Sequence, residues 1–261
     1  MDLMGRAALV TGSTGGIGLG IAEALAGQGA DLMLNGFGDA AAIAAIRARM
    51  TERWGIRTAY SAADIGRPDQ VAALVAQTHA ELGSLDVLVN NAGVQFTAAL
   101  QDFPDEQWDR IIAINLSGAF HATKAAIPGM LARGWGRVIN IASAHGLVGS
   151  PEKVAYVAAK HGLIGMTKVA AIELANSRIT VNAICPGWVL TPLVQAQLEA
   201  RAGMEDTTVA ALTPAFLAEK QPMTRFTTPE QIGALAVFLC SDAAATLTGA
   251  SLPIDGGWTA R

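Results

Sequence analysis

Cysteine is nearly missing from this chain: 261 residues include only Cys185 and Cys240. They form neither a Cys-x-x-Cys ligand pair nor a disulfide framework, so a reducing, cytoplasmic setting is expected and no metal centre. Charge is also sparse, at 15% of residues with a net of −4, and Lys and Arg nowhere cluster. That argues against nucleic acid and against an anionic membrane surface as partners. No apolar run approaches the roughly 18 residues of a membrane span. The opening MDLMGRAALVTG enters a strand pattern at once and lacks the charged, apolar and cleavage regions of a signal peptide. What is abundant is hydrophobic residues, at 51%. A chain of this length and composition can bury a large core without staples.

Apolar runs of strand length alternate with helical patterns. Strands are expected at 7–11, 31–35, 58–62, 85–90, 137–141, 179–184 and 251–254. Helices are expected at 17–28 (stopping at Gly29), 40–54, 68–82, 104–133 (one long or two joined), 154–176 and 229–240. Near-continuous apolar strands such as Leu85 to Asn90 mark a sheet covered on both faces. Repeated β-α alternation implies an α/β chain, 1–261, folded as a single-domain doubly wound parallel sheet. Gln195 to Thr228 has little pattern; it either closes over a site or holds short helices of its own.

The turn after the first strand reads TGSTGGIGLG. Gly12 permits the tight turn, Gly16 lets the backbone approach a pyrophosphate, and Gly18 lets the helix lie close on the sheet. At the end of the second strand stands Asn35-Gly36-Phe37-Gly38, with neither Asp nor Arg at the position that reads the adenine ribose. A 2′-phosphate would meet no cation there and would be crowded by Phe37, which favours NAD. Further on, Ser143 ends a strand, and Tyr156 and Lys160 lie four residues apart on one helical face. A free phenol is about 1% ionised at pH 8. A nearby ammonium such as Lys160, together with the positive ring of an oxidised cofactor, would depress its pKa and let Tyr156 take a proton from an alcohol. Ser143 would orient the reacting oxygen.

With these residues in place the chain resembles the short-chain dehydrogenase/reductase family. The glycine spacing is that family's. Asn90-Asn91-Ala92-Gly93 matches its turn after the fourth strand, Asn115, Ser143, Tyr156 and Lys160 its tetrad, and Pro186-Gly187 with Thr191 its nicotinamide loop. The resemblance implies a Rossmann-like fold with a small helical lid at about 190–228. It implies cofactor contacts from Gly12, Thr14, Gly16, Ile17, Gly18, Phe37, Asp64, Ile65, Asn91, Ala92, Gly93, Tyr156, Lys160, Pro186, Gly187, Val189 and Thr191. It also implies that Asn115 holds a water relaying protons to Lys160, that Lys160 binds the nicotinamide ribose, and that the chain is a homotetramer.

Polar donors on separate loops, Gln95, His145, Lys153 and Gln197, suit a small carboxylate substrate if they converge, and Trp188 and Trp258 could wall it from water. Each has a plainer alternative: a loop histidine, a solvated lysine or glutamine, a packing tryptophan. The segments NGFGD, SAHGLV, AYVAAKHG, EKQP and DGGWTAR resemble the 3-hydroxybutyrate dehydrogenase branch of the family. That likeness implies oxidation of (R)-3-hydroxybutyrate to acetoacetate, with Gln95, His145, Lys153 and Gln197 on the carboxylate. Ser150-Pro151-Glu152 departs from the branch just before Lys153, which puts the aim of that lysine in question. Action on 3-oxoacyl thioesters or sugar alcohols, or a non-catalytic nucleotide-binding role, shares the same frame.

Overall fold

In a computed structural model, which describes residues 2–260 except for the side chains of Leu193 and Gln197, the apolar runs become seven strands. They are β1 (Ala7–Val10), β2 (Asp31–Asn35), β3 (Thr58–Ser61), β4 (Val87–Asn90), β5 (Gly136–Ile141), β6 (Ile179–Pro186) and β7 (Ser251–Ile254). All pair in parallel in the order β3-β2-β1-β4-β5-β6-β7. Every residue of β1, β4, β5 and β6 is buried. Their continuous Val, Ile, Leu and Ala runs follow from having helices on both faces.

Nine α-helices link and cover the strands among the described residues: α1 (Gly16–Ala26), α2 (Ala40–Trp54), α3 (Pro68–Leu82), α4 (Asp105–Ile112), α5 (Gly118–Arg133), α6 (Val154–Glu173), α7 (Pro192–Met204), α8 (Val209–Ala218) and α9 (Pro229–Cys240). One core layer joins Ile21 and Leu25 of α1 and Ile232 and Leu239 of α9 to Val10, Leu34 and Val89 of the sheet. The opposite layer sets Leu74 of α3, Ala122 and Met130 of α5 and Ala171 of α6 against Leu9, Leu88 and Val181. Among the described residues, no helix is long and apolar enough to cross a membrane.

Three details differ from or complete the sequence reading. Helix α1 ends at Ala26 with Gly27 as its cap, two residues before the expected stop, and Gly29 (φ +86°) serves the following turn instead. The 104–133 segment is two helices joined by a π-helical turn, Ala113–Ser117, in which one extra residue is accommodated. The sparsely patterned region contains α7 and α8, which share a small core of Leu198, Ala202, Leu212, Phe216 and Leu217 with Trp188 packed against it. Pro192 begins α7 and Thr191 caps it, accepting from Val194 N.

Strand order reverses between β1 and β4, the switch point at which a doubly wound sheet leaves a crevice beyond the carboxyl ends of its strands. In doubly wound sheets this is where ligands bind.

Candidate active site

The wall of that crevice is the turn from β1 into α1. Gly12 and Gly16 adopt φ of +63° and +55°, which side-chain-bearing residues avoid. A Cβ on Gly18 would lie 2.2 Å from Gly12 O, so nothing larger than glycine fits. Helices α2, α7, α8 and α9 begin with a side chain accepting from the first turn. Helix α1 has Gly15 at its N-cap, with no side-chain cap bond and no acidic residue in its first turn. Its first N–H groups and the positive end of its dipole face the crevice, which suits a phosphate. The residues thus fit a dinucleotide.

Neighbouring loops are strapped to this turn. Asn91 Nδ2 donates to Thr11 O and Gly12 O (2.8 and 3.0 Å), and Asn91 N and Ala92 N donate to Thr11 Oγ1. Asn35 accepts from Gly12 N and donates to Ser61 O and Ala63 O, so its amide is committed inward. Phe37 is exposed, and its carbonyl accepts from Thr14 Oγ1. The acids that flank this stretch are occupied elsewhere: Asp39 caps α2, and Asp31, at the far end of β2, pairs with Arg57 at 2.6 Å. Asp64 accepts from Gly66 N, with buried Ile65 beside it. Ile17 packs on the core, Gly93 backs onto Asn115, and Val189 bridges to Thr227. Gly187, following Pro186 at the end of β6, lies so near Asp255 that a Cβ would come 2.7 Å from its Cα.

Asn115 sits inside the π turn, buried, and both ends of its amide are used by one residue. Its Oδ1 accepts from Val94 N (2.8 Å) and its Nδ2 donates to Val94 O (2.9 Å). The clamp holds the loop that continues into Gln95.

Ser143 leaves β5 and starts a 3-10 turn, Ala144–Gly146, by accepting from His145 N at 3.1 Å. Tyr156 and Lys160 face it from α6. Lys160, buried, donates to Ile141 O at 2.7 Å, and its Nζ lies 5.5 Å from the Tyr156 ring centre. Burial lowers the Lys160 pKa to about 8, opposed by the Cys185 thiol. The expected depression of Tyr156 is not present in the protein alone. Burial raises its pKa, and only a hydrogen bond with Ser143 works the other way. The ammonium counted on for that effect is turned to Ile141 O, and burying the phenolate outweighs what remains. The arrangement puts a phenol, a hydroxyl and an ammonium around one point, which suits transfer of a proton to or from an oxygen.

Beyond Ser143 the pocket is aromatic and cationic. The His145 ring meets Tyr156 and Trp258 edge-on, with centres 5.9 and 4.9 Å apart, and Trp258 stacks on Trp188 at 6.2 Å. Lys153 Nζ lies 5.7 Å from the Trp188 ring. Glu152, at φ +63°, turns the chain, and its carbonyl accepts from Ala98 N while Lys153 reaches the indole. Burial, then Lys153 and Lys220, bring the His145 pKa down to about 4. Lys153 is likewise lowered, by burial and then Lys220. His145 Nε2 and Trp188 Nε1 are buried with no protein partner. Unpaired buried donors and acceptors are costly and point to a ligand that completes them.

The structure therefore brings together His145, Lys153, Trp188 and Trp258 beside Ser143 and Tyr156. Gln95 lies exposed on its loop and makes no described side-chain contact with this group. The side chain of Gln197 lies outside the described residues. Lys220, two residues past α8, joins the pocket with its Nζ 5.9 Å from the Trp258 ring. Nothing in its local pattern announces this, because its neighbours come from distant segments.

A family model described as enoyl-(acyl carrier protein) reductase matches residues 12–259. The chain is 55% identical to a D-beta-hydroxybutyrate dehydrogenase of Cupriavidus necator over 259 residues, 99% of this chain and 100% of the relative. It is 49% identical to the D-beta-hydroxybutyrate dehydrogenase of Rhizobium meliloti (strain 1021) over 258 residues, again 99% and 100%. Among solved structures, L-sorbose reductase from Gluconobacter frateurii, complexed with NADPH and L-sorbose, superposes with a TM-score of 0.95 at 30% identity, covering 100% of this chain and 99% of that one. Sheet order, glycine turn and full-length likeness agree: the chain belongs to the short-chain dehydrogenase/reductase family.

Proposed function

We propose that this chain is an NAD-dependent oxidoreductase interconverting (R)-3-hydroxybutyrate and acetoacetate. The observation that carries the substrate is the pocket next to Ser143 and Tyr156. There His145 and Lys153 stand on a pair of tryptophans, with Nε2 of the histidine and Nε1 of Trp188 left for a ligand. A small carboxylate fits that set. Two full-length relatives named for this activity, at 55% and 49% identity, support it.

The cofactor would be held by Gly12, Thr14 to Gly18 and the open first turn of α1, by the loops carrying Phe37, Asp64 and Ile65, by Asn91 to Gly93, and by Pro186 to Thr191. Bound there, it would supply the hydride acceptor for oxidation and the hydride donor for reduction. NAD is favoured over its 2′-phosphorylated counterpart because the corner beyond Asn35 presents Gly36, exposed Phe37 and Gly38, with no cation.

Tyr156 takes the alcohol proton during oxidation and gives it back during reduction. Ser143 donates a hydrogen bond to the reacting oxygen and keeps it beside Tyr156. Lys160 stands behind the phenol and passes protons outward, and it also holds the nicotinamide ribose. Asn115 holds the Val94 loop and the π turn, whose backbone would carry the water that meets Lys160. Helices α7 and α8 form the lid, and the assembly is a homotetramer.

The test is an initial-rate panel. We expect turnover of (R)-3-hydroxybutyrate with NAD, little with the S enantiomer, and a much poorer kcat/KM for the methyl ester and for polyols. An ester as good as the acid would defeat the carboxylate assignment. Equal or better kcat/KM with the phosphorylated cofactor would defeat the choice of NAD.

A further inference from the structure

Trp258 walls the pocket, its ring 4.9 Å from that of His145 and stacked on Trp188. It is carried by the short turn that follows β7. Bonds inside this turn set its shape. The Asp255 carboxylate accepts from Gly257 N, Thr259 N and Thr259 Oγ1, while Gly256 and Gly257 take φ of +62° and +84°. Other contacts place the turn against the segment that leaves α8. Met223 N donates to Gly256 O at 3.0 Å, and a Cβ on Gly257 would meet the Pro222 ring at 3.4 Å.

Gln221 gives that segment its form. Its side chain is 1% exposed, in a residue type that is mostly found at the surface. Nε2 donates to Met223 O (2.7 Å) and to Arg225 O (2.9 Å), so residues 221–225 fold around the amide. Carbonyls only accept, which fixes the way the amide faces. The same amide lies flat against the turn: a Cβ on Gly256 would come 3.0 Å from its Cδ and Nε2. Gln221 N donates to Leu217 O, and Leu217 is buried in the core shared by α7 and α8. One buried amide therefore stands between that core and the turn carrying Trp258. An apolar side chain of equal length would leave Met223 O and Arg225 O without their donor. The segment would then open at the point where Met223 holds Gly256.

We propose that Gln221 is a positioning residue for substrate binding: it shapes residues 221–225 so that Pro222 and Met223 seat the Gly256–Trp258 turn, and so sets Trp258 against His145. The proposal rests on the reading of the pocket beside Ser143 and Tyr156 as the substrate site. It adds that one wall of this pocket is held from α8, so the helical pair α7–α8 and the turn after β7 act as one unit.

The test uses the full-length enzyme labelled with fluorotryptophan and read by fluorine NMR. Its five tryptophans give five lines, and Trp258→Leu assigns the line of interest. In Gln221→Met the Trp258 line should shift or broaden. The lines of Trp54 at the end of α2, Trp108 in α4 and Trp135 before β5 should stay in place. The KM for (R)-3-hydroxybutyrate should rise about fivefold with kcat within about twofold, because a wall of the bound state is disturbed and no group in the chemistry is removed. The dissociation constant of NAD, measured by titration, should keep its wild-type value. Gln221→Asn, an amide one methylene shorter, replaces the methionine variant if that one does not fold. An unmoved Trp258 line or a wild-type KM overturns the proposal. So does a general movement of all five lines with NAD binding weakened as much as substrate binding, since Gln221 would then only support the fold. A wild-type KM in Trp258→Leu instead sinks the reading of the pocket itself, whatever Gln221 does to the line.

Discussion

Acid should unfold this protein partly through His145. The ring is buried against Tyr156 and Trp258, and burial together with Lys153 and Lys220 holds its pKa at about 4, below the ordinary 6.5. The folded form therefore resists a proton that the unfolded chain accepts. The stability that depends on neutral His145 is complete above pH 6.5 and is lost as pH falls from there through about 4. At about 1.4 kcal/mol per pH unit the interval amounts to about 3 kcal/mol, a large share of the 5–15 kcal/mol or so typical of a folded domain. The assay is urea unfolding at pH 7, 6, 5 and 4 for the wild type and for His145→Gln, which keeps a polar group beside Ser143. Carboxylates titrate equally in both proteins, so the difference between the two curves isolates the imidazole. The wild type should lose about 3 kcal/mol more than the variant across that interval. Parallel losses would refute the claim that His145 is held neutral by its surroundings.

Three further outcomes follow from the same geometry. Tyr156→Phe should lower kcat by about 10³-fold while NAD binding, read by fluorescence titration, survives; retained turnover would remove Tyr156 from the chemistry. Gly18→Ala places a methyl 2.2 Å from Gly12 O and 2.5 Å from Asn91 Nδ2. It should cost about 1–3 kcal/mol in denaturant unfolding and weaken NAD binding, whereas Gly15→Ala, with open space at its Cβ, should be nearly neutral for stability. Glu152 lies at φ +63°, so Glu152→Val should lose about 1–2 kcal/mol and Glu152→Gly should lose none; equal losses in thermal unfolding would mean the backbone there is unstrained.

The sheet was readable because its signal is local. Runs such as ALV and VLVN are continuous and apolar, and each glycine or asparagine turn follows its strand directly. The glycine turn and the positions of Ser143, Tyr156 and Lys160 were legible for the same reason, being short motifs inside single elements. The state of Tyr156 was not. Its proton affinity depends on how dry the phenol is and where the neighbouring ammonium points, and Ile141 O claims that ammonium. The role of the π turn was hidden too, since Asn115 inside it bonds Val94, which belongs to another loop. Lys220 shows the same limit: EKQP has no periodicity, and only the folded chain brings it to Trp258.

The π turn also carries a record of length. A helix advances about 100° per residue, so the one residue it absorbs between α4 and α5 separates two phases of the same rod. Deleting a single residue from Ala113–Ser117 would let α4 and α5 run on as one regular helix, with the α5 face still seated on the sheet. The residues before the cut would then rotate by about a quarter turn relative to the crevice. The amide of Asn115 would leave Val94, and the chain would keep its fold while losing the alignment of the loop that borders its site. The alignment of the loop that borders the site thus depends on the one extra residue held in that turn.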